Sequence, residues 1–156
     1  MIPSPTSPSE PGLFTVRPAT ASDAPALCAL DALAQQDESR RAFIARAVED
    51  GHGYVIEAKG QVIGYAVLDI SFFGQGFISL LYIHPEHRHQ GAATRLMQYL
   101  EEACRTPKLF TSTNLSNLPM QALLTKLGYI LSGVIYHLDE NDPELVFVKY
   151  LRRGSA

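Results

Sequence analysis

One stretch constrains this chain more than any other: FISLLYIHPEHRHQGAA, running from Phe77 to Ala93. Its apolar run, Phe77 to Ile83, suits a strand buried in a sheet. The chain then passes through His84-Pro85 and a polar loop into Arg88-x-x-Gly91-x-Ala93, and directly on into an amphipathic segment, Ala92 to Cys104. Leu96, Met97, Leu100 and Ala103 recur there at helical spacing, which predicts a helix with one inward face. A strand, a small-residue turn and a helix start in succession require a sheet with helices packed on it. They also suit a diphosphate. The first N–H groups of a helix lack intrahelical acceptors, and the helix dipole places partial positive charge there. Small residues at Gly91, Ala92 and Ala93 let the backbone come close to phosphate oxygens, and Arg88 and His89 add positive charge.

The remaining periodicities build the sheet around that segment. Leu13 to Arg17 reads as a strand. Thr20 to Asp23 resembles a capping box, followed by Leu27, Leu30, Leu33 and Ala34 at helical spacing. A second helical pattern carries Phe43, Ile44, Ala47 and Val48 on one face and closes at Gly51 and Gly53. Tyr54 to Ala58 and Val62 to Ile70, joined by Lys59-Gly60-Gln61, read as a hairpin. Lys108 to Thr113 is a further strand. Leu118 to Leu127 is a short helix capped by Asn117, with Pro119 in its first turn and Gly128 at its end. Its apolar face holds Met120, Leu123, Leu124 and Leu127. Tyr129 to His137 and Leu145 to Leu151 are strands joined by an acidic turn, Asp139 to Pro143. The order β-α-α-β-β-β-α-β-α-β-β predicts an α/β fold, a three-layer α/β/α sandwich around a mixed, mostly antiparallel sheet.

At 156 residues the chain suits one domain, expected over residues 13–156. Residues 1–12, MIPSPTSPSEPG, are too rich in Pro and Ser to form a core and are expected to be a disordered lead-in. A formal net charge of −3 and the lack of a basic stripe argue against nucleic-acid binding. Lys149, Arg152 and Arg153 read as a solvated tail. No apolar run is long enough to span a bilayer, and no signal-peptide pattern opens the chain, so a cytoplasmic location with no membrane partner is expected. Cys28 and Cys104 fall at apolar helical positions and read as buried thiols. No Cys/His ligand spacing points to a metal. Neither a P-loop nor a G-x-G-x-x-G turn is present.

The stretch LLYIHPEHRHQGAATRLM resembles the acetyl-CoA motif of the GNAT acetyltransferase superfamily, with Arg88, Gly91 and Ala93 at its R/Q-x-x-G-x-G/A positions. Asn117 to Tyr129, ending in Lys126-Leu127-Gly128-Tyr129, is similar to the family's second signature, and the element order agrees. The resemblance covers residues 13 to 151 and implies the acyl-CoA N-acyltransferase fold, with acetyl-CoA as co-substrate and an amine of a small molecule or peptide as acceptor. It implies that backbone groups of Leu81, Tyr82 and Ile83 pair with the pantetheine arm. The N–H groups of His89, Gln90, Gly91, Ala92, Ala93 and Thr94, with Arg88, would hold the pyrophosphate, and Asn114 and Asn117 would contact the cofactor. A backbone N–H near Tyr82 would polarise the thioester carbonyl. Dimers are common in the family, so a homodimer is compatible with the resemblance.

The sequence also departs from the family. Leu124 stands where many members carry a Tyr that protonates the leaving thiolate. Ser79, Thr111, Ser112 and Thr113 stand on the strands that often carry a Glu. The base is therefore sought among His84, His137, Asp139 and Glu144, with Glu144 and His137 preferred because the last two strands border the acceptor in relatives. Tyr82 and Tyr136 are the candidate acids. The acidic turn reads as a solvated turn or as an attractor for a cationic amine. Cys104, on an apolar helical face, is a poor nucleophile candidate. The same fold holding acyl-CoA without turnover is the alternative reading.

Overall fold

Seven strands form one sheet in the order β1-β2-β3-β4-β5-β7-β6. They are β1 (Thr15–Pro18), β2 (Gly53–Ala58), β3 (Gln61–Phe72), β4 (Gln75–Ile83), β5 (Lys108–Asn114), β6 (Ile130–Ile135) and β7 (Glu144–Tyr150). Helices α1 (Ala24–Leu30), α2 (Ala32–Gln36), α3 (Glu38–Glu49), α4 (Ala92–Ala103) and α5 (Leu118–Lys126) flank it. The sheet is mostly antiparallel, with β4 and β5 running parallel. This computed structural model describes residues 13–151; the expected lead-in and the Arg152-Arg153 pair lie outside them. The described chain falls into two compact units, one up to Tyr65 together with Tyr82–Leu96, the other Ala66–Leu81 together with residues from Met97 onward.

In the first unit, β1 pairs antiparallel with β2 from Thr15↔Glu57 to Pro18↔Tyr54. Arg17 on β1 organises the helix entry. Its two Nη atoms donate to the Asp23 carboxylate at 2.8 and 2.9 Å, and its Nε donates to Glu57 Oε1 at 3.1 Å. Asp23 also accepts the Thr20 backbone N–H at 2.7 Å, completing the expected capping box. The Arg17 hydrogen bond, aided by Thr20, outweighs burial and holds the Asp23 carboxyl well below the usual range.

The single first helix expected through Leu27, Leu30 and Leu33 is two helices. Asp31 breaks it with extended backbone (ψ 112) and caps α2, accepting the N–H groups of Leu33 and Ala34. Its side chain is 1% exposed. Burial raises the carboxyl, but the Tyr65 hydroxyl and the Arg40 guanidinium, 3.1 Å away, outweigh it and leave the group below its ordinary value. The break turns Leu33 outward, so a residue expected inside is exposed. In α3, Ile44, Ala47 and Val48 are buried as expected, whereas Phe43 is exposed. Lys59 and Gly60, with φ of 51° and 76°, make the two-residue β2–β3 turn.

In the second unit, Phe73 and Gly74 make another such turn between β3 and β4, with φ of 52° and 76°. Phe72 packs against Phe77 and Phe110 with ring centroids 5.1 and 4.9 Å apart. β5 alternates as a strand with one buried face, Leu109, Thr111 and Thr113 being inside. β7 lies between β5 and β6, and its residues Leu145 to Val148 are buried without alternation. Lys149, expected in a solvated tail, pairs with Glu101 of α4 at 2.6 Å. Of the two free cysteines, Cys104 is buried as expected, but Cys28 is only half-buried.

Two measurements check this framework. Asp31→Ala removes a buried charge partner and a cap together and should cost about 3–5 kcal/mol in denaturant unfolding. Because the carboxyls of Asp23 and Asp31 are lowered in the folded state, their stabilisation is complete above the unfolded carboxylate range and disappears as pH falls through their lower folded values. The thermal midpoint should therefore fall on the acid side of about pH 4, with a shallower fall in Asp23→Asn.

Candidate active site

β4 and β5 begin as partners and then part. Their parallel register runs from Gly76↔Leu109 to Ile78↔Thr111, although β4 continues to Ile83 and β5 to Asn114. At the last paired position Thr111, buried on β5, donates its hydroxyl to the Ile78 carbonyl at 3.0 Å. From Ser79 and Ser112 onward the two strands have no mutual register. Backbone groups of β4 beyond that fork are thus available to an extended ligand. The family pattern had drawn attention to Thr111 only as a missing carboxylate. A hydroxyl on the inward alternation of β5 was the available signal, since a buried Thr needs an acceptor.

Beyond the fork, β4 runs into the loop before α4. His84 donates its backbone N–H to Ile63 at 2.8 Å and accepts from the Glu86 N–H through Nδ1 at 3.2 Å, closing a short turn over Pro85–His87. β3 approaches closely here. A Cβ on Gly64 would collide with the Tyr82 carbonyl oxygen and the Ile83 side chain, so glycine is required. The half-buried Tyr82 ring lies 6.0 Å from Tyr65, whose hydroxyl donates to Asp31. Burial first, and then that carboxylate, raise the Tyr65 hydroxyl well above its usual range. Arg88 folds back on the strand: its Nε donates to the Ile83 carbonyl at 2.9 Å and its guanidinium sits 5.7 Å over the Tyr82 ring. The structure therefore gathers Tyr82, Ile83 and Arg88 at one place.

His89 and Gly91 then turn the chain with φ of 63° and 87°, and α4 begins at Ala92. A Cβ on Gly91 would meet nothing within 4 Å, so glycine is needed there for its left-handed backbone and not for lack of room. The Arg95 N–H bonds to the Gly91 carbonyl at 3.0 Å, which leaves the preceding N–H groups as the free first turn of the helix. His89, Gln90 and Gly91 are exposed, Ala93 and Thr94 half-buried, and Ala92 buried. Open space, a helix N-terminus and small residues fit a phosphate-bearing group.

In the second unit, Asn114 ends β5 and pairs with Glu144, which in turn faces Ile135 of β6. The acidic turn is not merely solvated. The Asn114 amide donates to Asp139 at 2.9 Å and to the Asp142 carbonyl at 3.4 Å, and Ser116 donates its N–H and hydroxyl to Asp142 at 3.0 and 2.6 Å. The Leu115 N–H bonds to the Pro143 carbonyl at 2.9 Å. The loop from Asn114 to Ser116 and the turn from Asp139 to Pro143 are thus clasped together. Asn117 caps α5, accepting the Met120 N–H at 3.2 Å. An open cavity of about 370 Å³ is lined by Tyr136, His137, Asp139, Glu140, Asp142 and Pro143. His137 adopts φ 74°, which turns the chain out of β6 into that lining. Leu124 is 0% exposed; it and Tyr129 are buried, while the rest of the α5 face is only half-buried.

Comparison with known proteins agrees with this geometry. The Acetyltransferase (GNAT) family model matches residues 21–129. A GNAT-family acetyltransferase structure from Bacillus cereus ATCC 10987 is 32% identical, with a TM-score of 0.85 over 91% of this chain and 100% of that one. The structure of yncA from Salmonella typhimurium, solved with its cofactor acetyl-CoA, is 19% identical with a TM-score of 0.71 over 93% and 98%. The ribosomal-protein-alanine N-acetyltransferase of Brucella melitensis is 24% identical with a TM-score of 0.71 over 88% and 99%. No curated protein matches the chain. The family match over most of the chain and the shared fold lead to one conclusion: this chain belongs to the GNAT acetyltransferase family.

Proposed function

We propose that the protein moves an acetyl group from acetyl-CoA to an amine of a small molecule or peptide, by direct transfer with both substrates bound. The observation that carries this reading is the fork after Ile78 and Thr111, followed by a helix N-terminus with open space at Gly91. On this reading the backbone of Leu81, Tyr82 and Ile83 holds the pantetheine arm as an added strand. The N–H groups of His89, Gln90, Gly91, Ala92, Ala93 and Thr94 hold the pyrophosphate. Arg88, already fastened to Ile83 and Tyr82, adds a fixed positive charge. Asn117 and Asn114 meet the cofactor from the next loop. The domain over residues 13–156 carries the activity in the cytoplasm, where Cys28 and Cys104 stay reduced.

Acetyl-CoA, when bound, supplies an acyl carbon activated as a thioester. The chain's own part is positioning and charge. On this reading a backbone N–H near Tyr82 stabilises the charge that develops on the carbonyl oxygen. Glu144 and His137 are the groups to take the proton from the attacking amine, directly or through water, and Tyr82 is the group to return one to the leaving thiolate. The carboxylates around the His137 cavity raise the local concentration of a cationic amine. A thiol of ordinary pKa leaves without much help, so a Leu at position 124 is compatible with turnover.

Calorimetric titration with acetyl-CoA, with NAD and ATP as controls, tests the cofactor; thiol release on adding amines separates an enzyme from a binding module. Gly91→Glu should lose acetyl-CoA binding at least 100-fold, about 2.7 kcal/mol, because it places a carboxylate at the phosphate site and strains a left-handed backbone. Normal binding by that variant would put the phosphates elsewhere. Leu124→Tyr should not create a faster enzyme. It overpacks a fully buried site and should destabilise the fold by about 1–3 kcal/mol in chemical denaturation.

A further inference from the structure

Thr111 and Thr113 occupy successive inward positions of β5, at 2% and 7% exposure. A buried hydroxyl needs a partner. Thr111 has one because β4 is still beside it at Ile78, whose carbonyl accepts its hydrogen bond at 3.0 Å. Continued by two residues, the same register would set Leu80 across from Thr113, but the strands part before that point. The bond is therefore not repeated, and among the described residues the Thr113 hydroxyl has no hydrogen-bond partner. Nor is it sealed: the enclosed polar side-chain atoms without a partner among those residues are Gln75 Oε1 and the Tyr129 hydroxyl. The Thr113 oxygen still borders space that a ligand can reach.

The two faces of the sheet differ here. Thr113 pairs with Leu145 of β7, and the next residue, Asn114, pairs with Glu144. Neighbours along a strand point to opposite faces, so Thr113 and Glu144 lie on opposite faces beside the fork. The Thr113 face is the one that α5 reaches. Leu109, on the same alternation, pairs with Lys149, whose Nζ lies 5.7 Å from the ring centroid of Tyr129, which follows α5 in the chain. The Tyr129 N–H in turn bonds to the Leu124 carbonyl at 2.9 Å. Leu124 offers no hydroxyl on this side, and Thr113 does.

We propose that Thr113 donates a hydrogen bond from its hydroxyl to the sulfur of the bound thioester and holds that sulfur as its bond to the acyl carbon breaks. This rests on the acetyl-transfer reading above. With the pantetheine arm on Ile83, Tyr82 and Leu81 and the phosphates at the helix start beyond Ile83, the sulfur comes to the Leu81 end of that run, next to the fork. The amine attacks the carbonyl carbon from the side of Glu144, and its proton passes to Glu144 or His137. The electron pair of the C–S bond goes to sulfur. Thr113 keeps its own proton, since an alcohol is far too weak an acid to protonate a thiolate; Tyr82 returns the proton, as above. A sulfur that gains negative charge accepts a stronger hydrogen bond, so the contact favours the transition state over the resting thioester.

Thr113→Val removes the hydroxyl at nearly constant shape. Its thermal midpoint without ligand should equal or exceed the parent's, because only an unpartnered buried hydroxyl is lost, whereas Thr111→Val, which breaks the bond to Ile78, should melt lower. Calorimetric titration with CoA from about pH 8 to 10 spans the range in which a thiol ionises. At the alkaline end Thr113→Val should bind CoA about 10- to 100-fold more weakly than the parent. Desulfo-CoA, which lacks the sulfur, should bind parent and variant alike, and Thr113→Ser should keep the parent's affinity for CoA. Thr113→Ala repeats the comparison with a smaller side chain. Equal CoA affinity in the parent and Thr113→Val, or an equal loss with desulfo-CoA, would overturn the role at sulfur and leave the acetyl-transfer reading in place. A parent that binds neither CoA nor acetyl-CoA would overturn both.

Discussion

The hydrogen bond from Thr111 to the Ile78 carbonyl sits where two parallel strands stop being partners. Much of the remaining structure follows from that parting. A strand in mid-sheet that loses its neighbour exposes backbone donors and acceptors, and burying them unpaired is costly. A fold keeps such a gap only if water or a ligand can fill it and if the strands are held apart from outside. Here β4 continues to the loop before α4, while β5 leads to Asn114 and the clasp with the acidic turn. Each strand thus leads on to one of the segments to which the family resemblance assigns cofactor contacts.

On the β4 side, rigidity comes from polar groups inside the first unit. Asp31 is satisfied by Tyr65, Arg40 and two backbone N–H groups, so its burial is compensated. Tyr65 lies against Tyr82, Tyr82 under Arg88, and Arg88 returns to Ile83. Gly64 lets β3 approach the same carbonyl. A network of this kind holds the loop start in one arrangement, because each member has a defined partner. The helix break at Asp31 is thereby connected to the geometry of the loop before α4.

On the β5 side, Asp139 and Asp142 hold the loop that leads to Asn117, so the acidic turn has a structural task alongside any attraction for cations. This connects the lining of the His137 cavity to the end of β5. A change in either carboxylate would move both. The neighbouring strand β6 keeps apolar residues exposed on both faces, Ile130 and Ile135 on one and Leu131 and Val134 on the other.

The order of elements, the turns at Lys59-Gly60 and at Gly74, the caps at Thr20 and Asn117 and the inward face of α4 were legible in the sequence. Each depends on neighbours a few residues apart, where periodicity and backbone preference act directly. The loop Arg88 to Ala93 was legible for the same reason. Other features depend on residues distant along the chain. The break at Asp31 looked like uninterrupted helix because its partner Tyr65 lies on β3 and only folding brings them together. The exposure of Phe43 and Leu33, the pairing of Lys149 with Glu101 and the clasp between Asn114 and Asp139 have the same origin. What this sequence determined by itself was the set of elements and the small-residue helix start that suits a phosphate. Tertiary structure alone decided where β4 and β5 separate, which carboxylates are buried and which apolar residues remain outside, because those outcomes depend on packing between segments that no local pattern encodes.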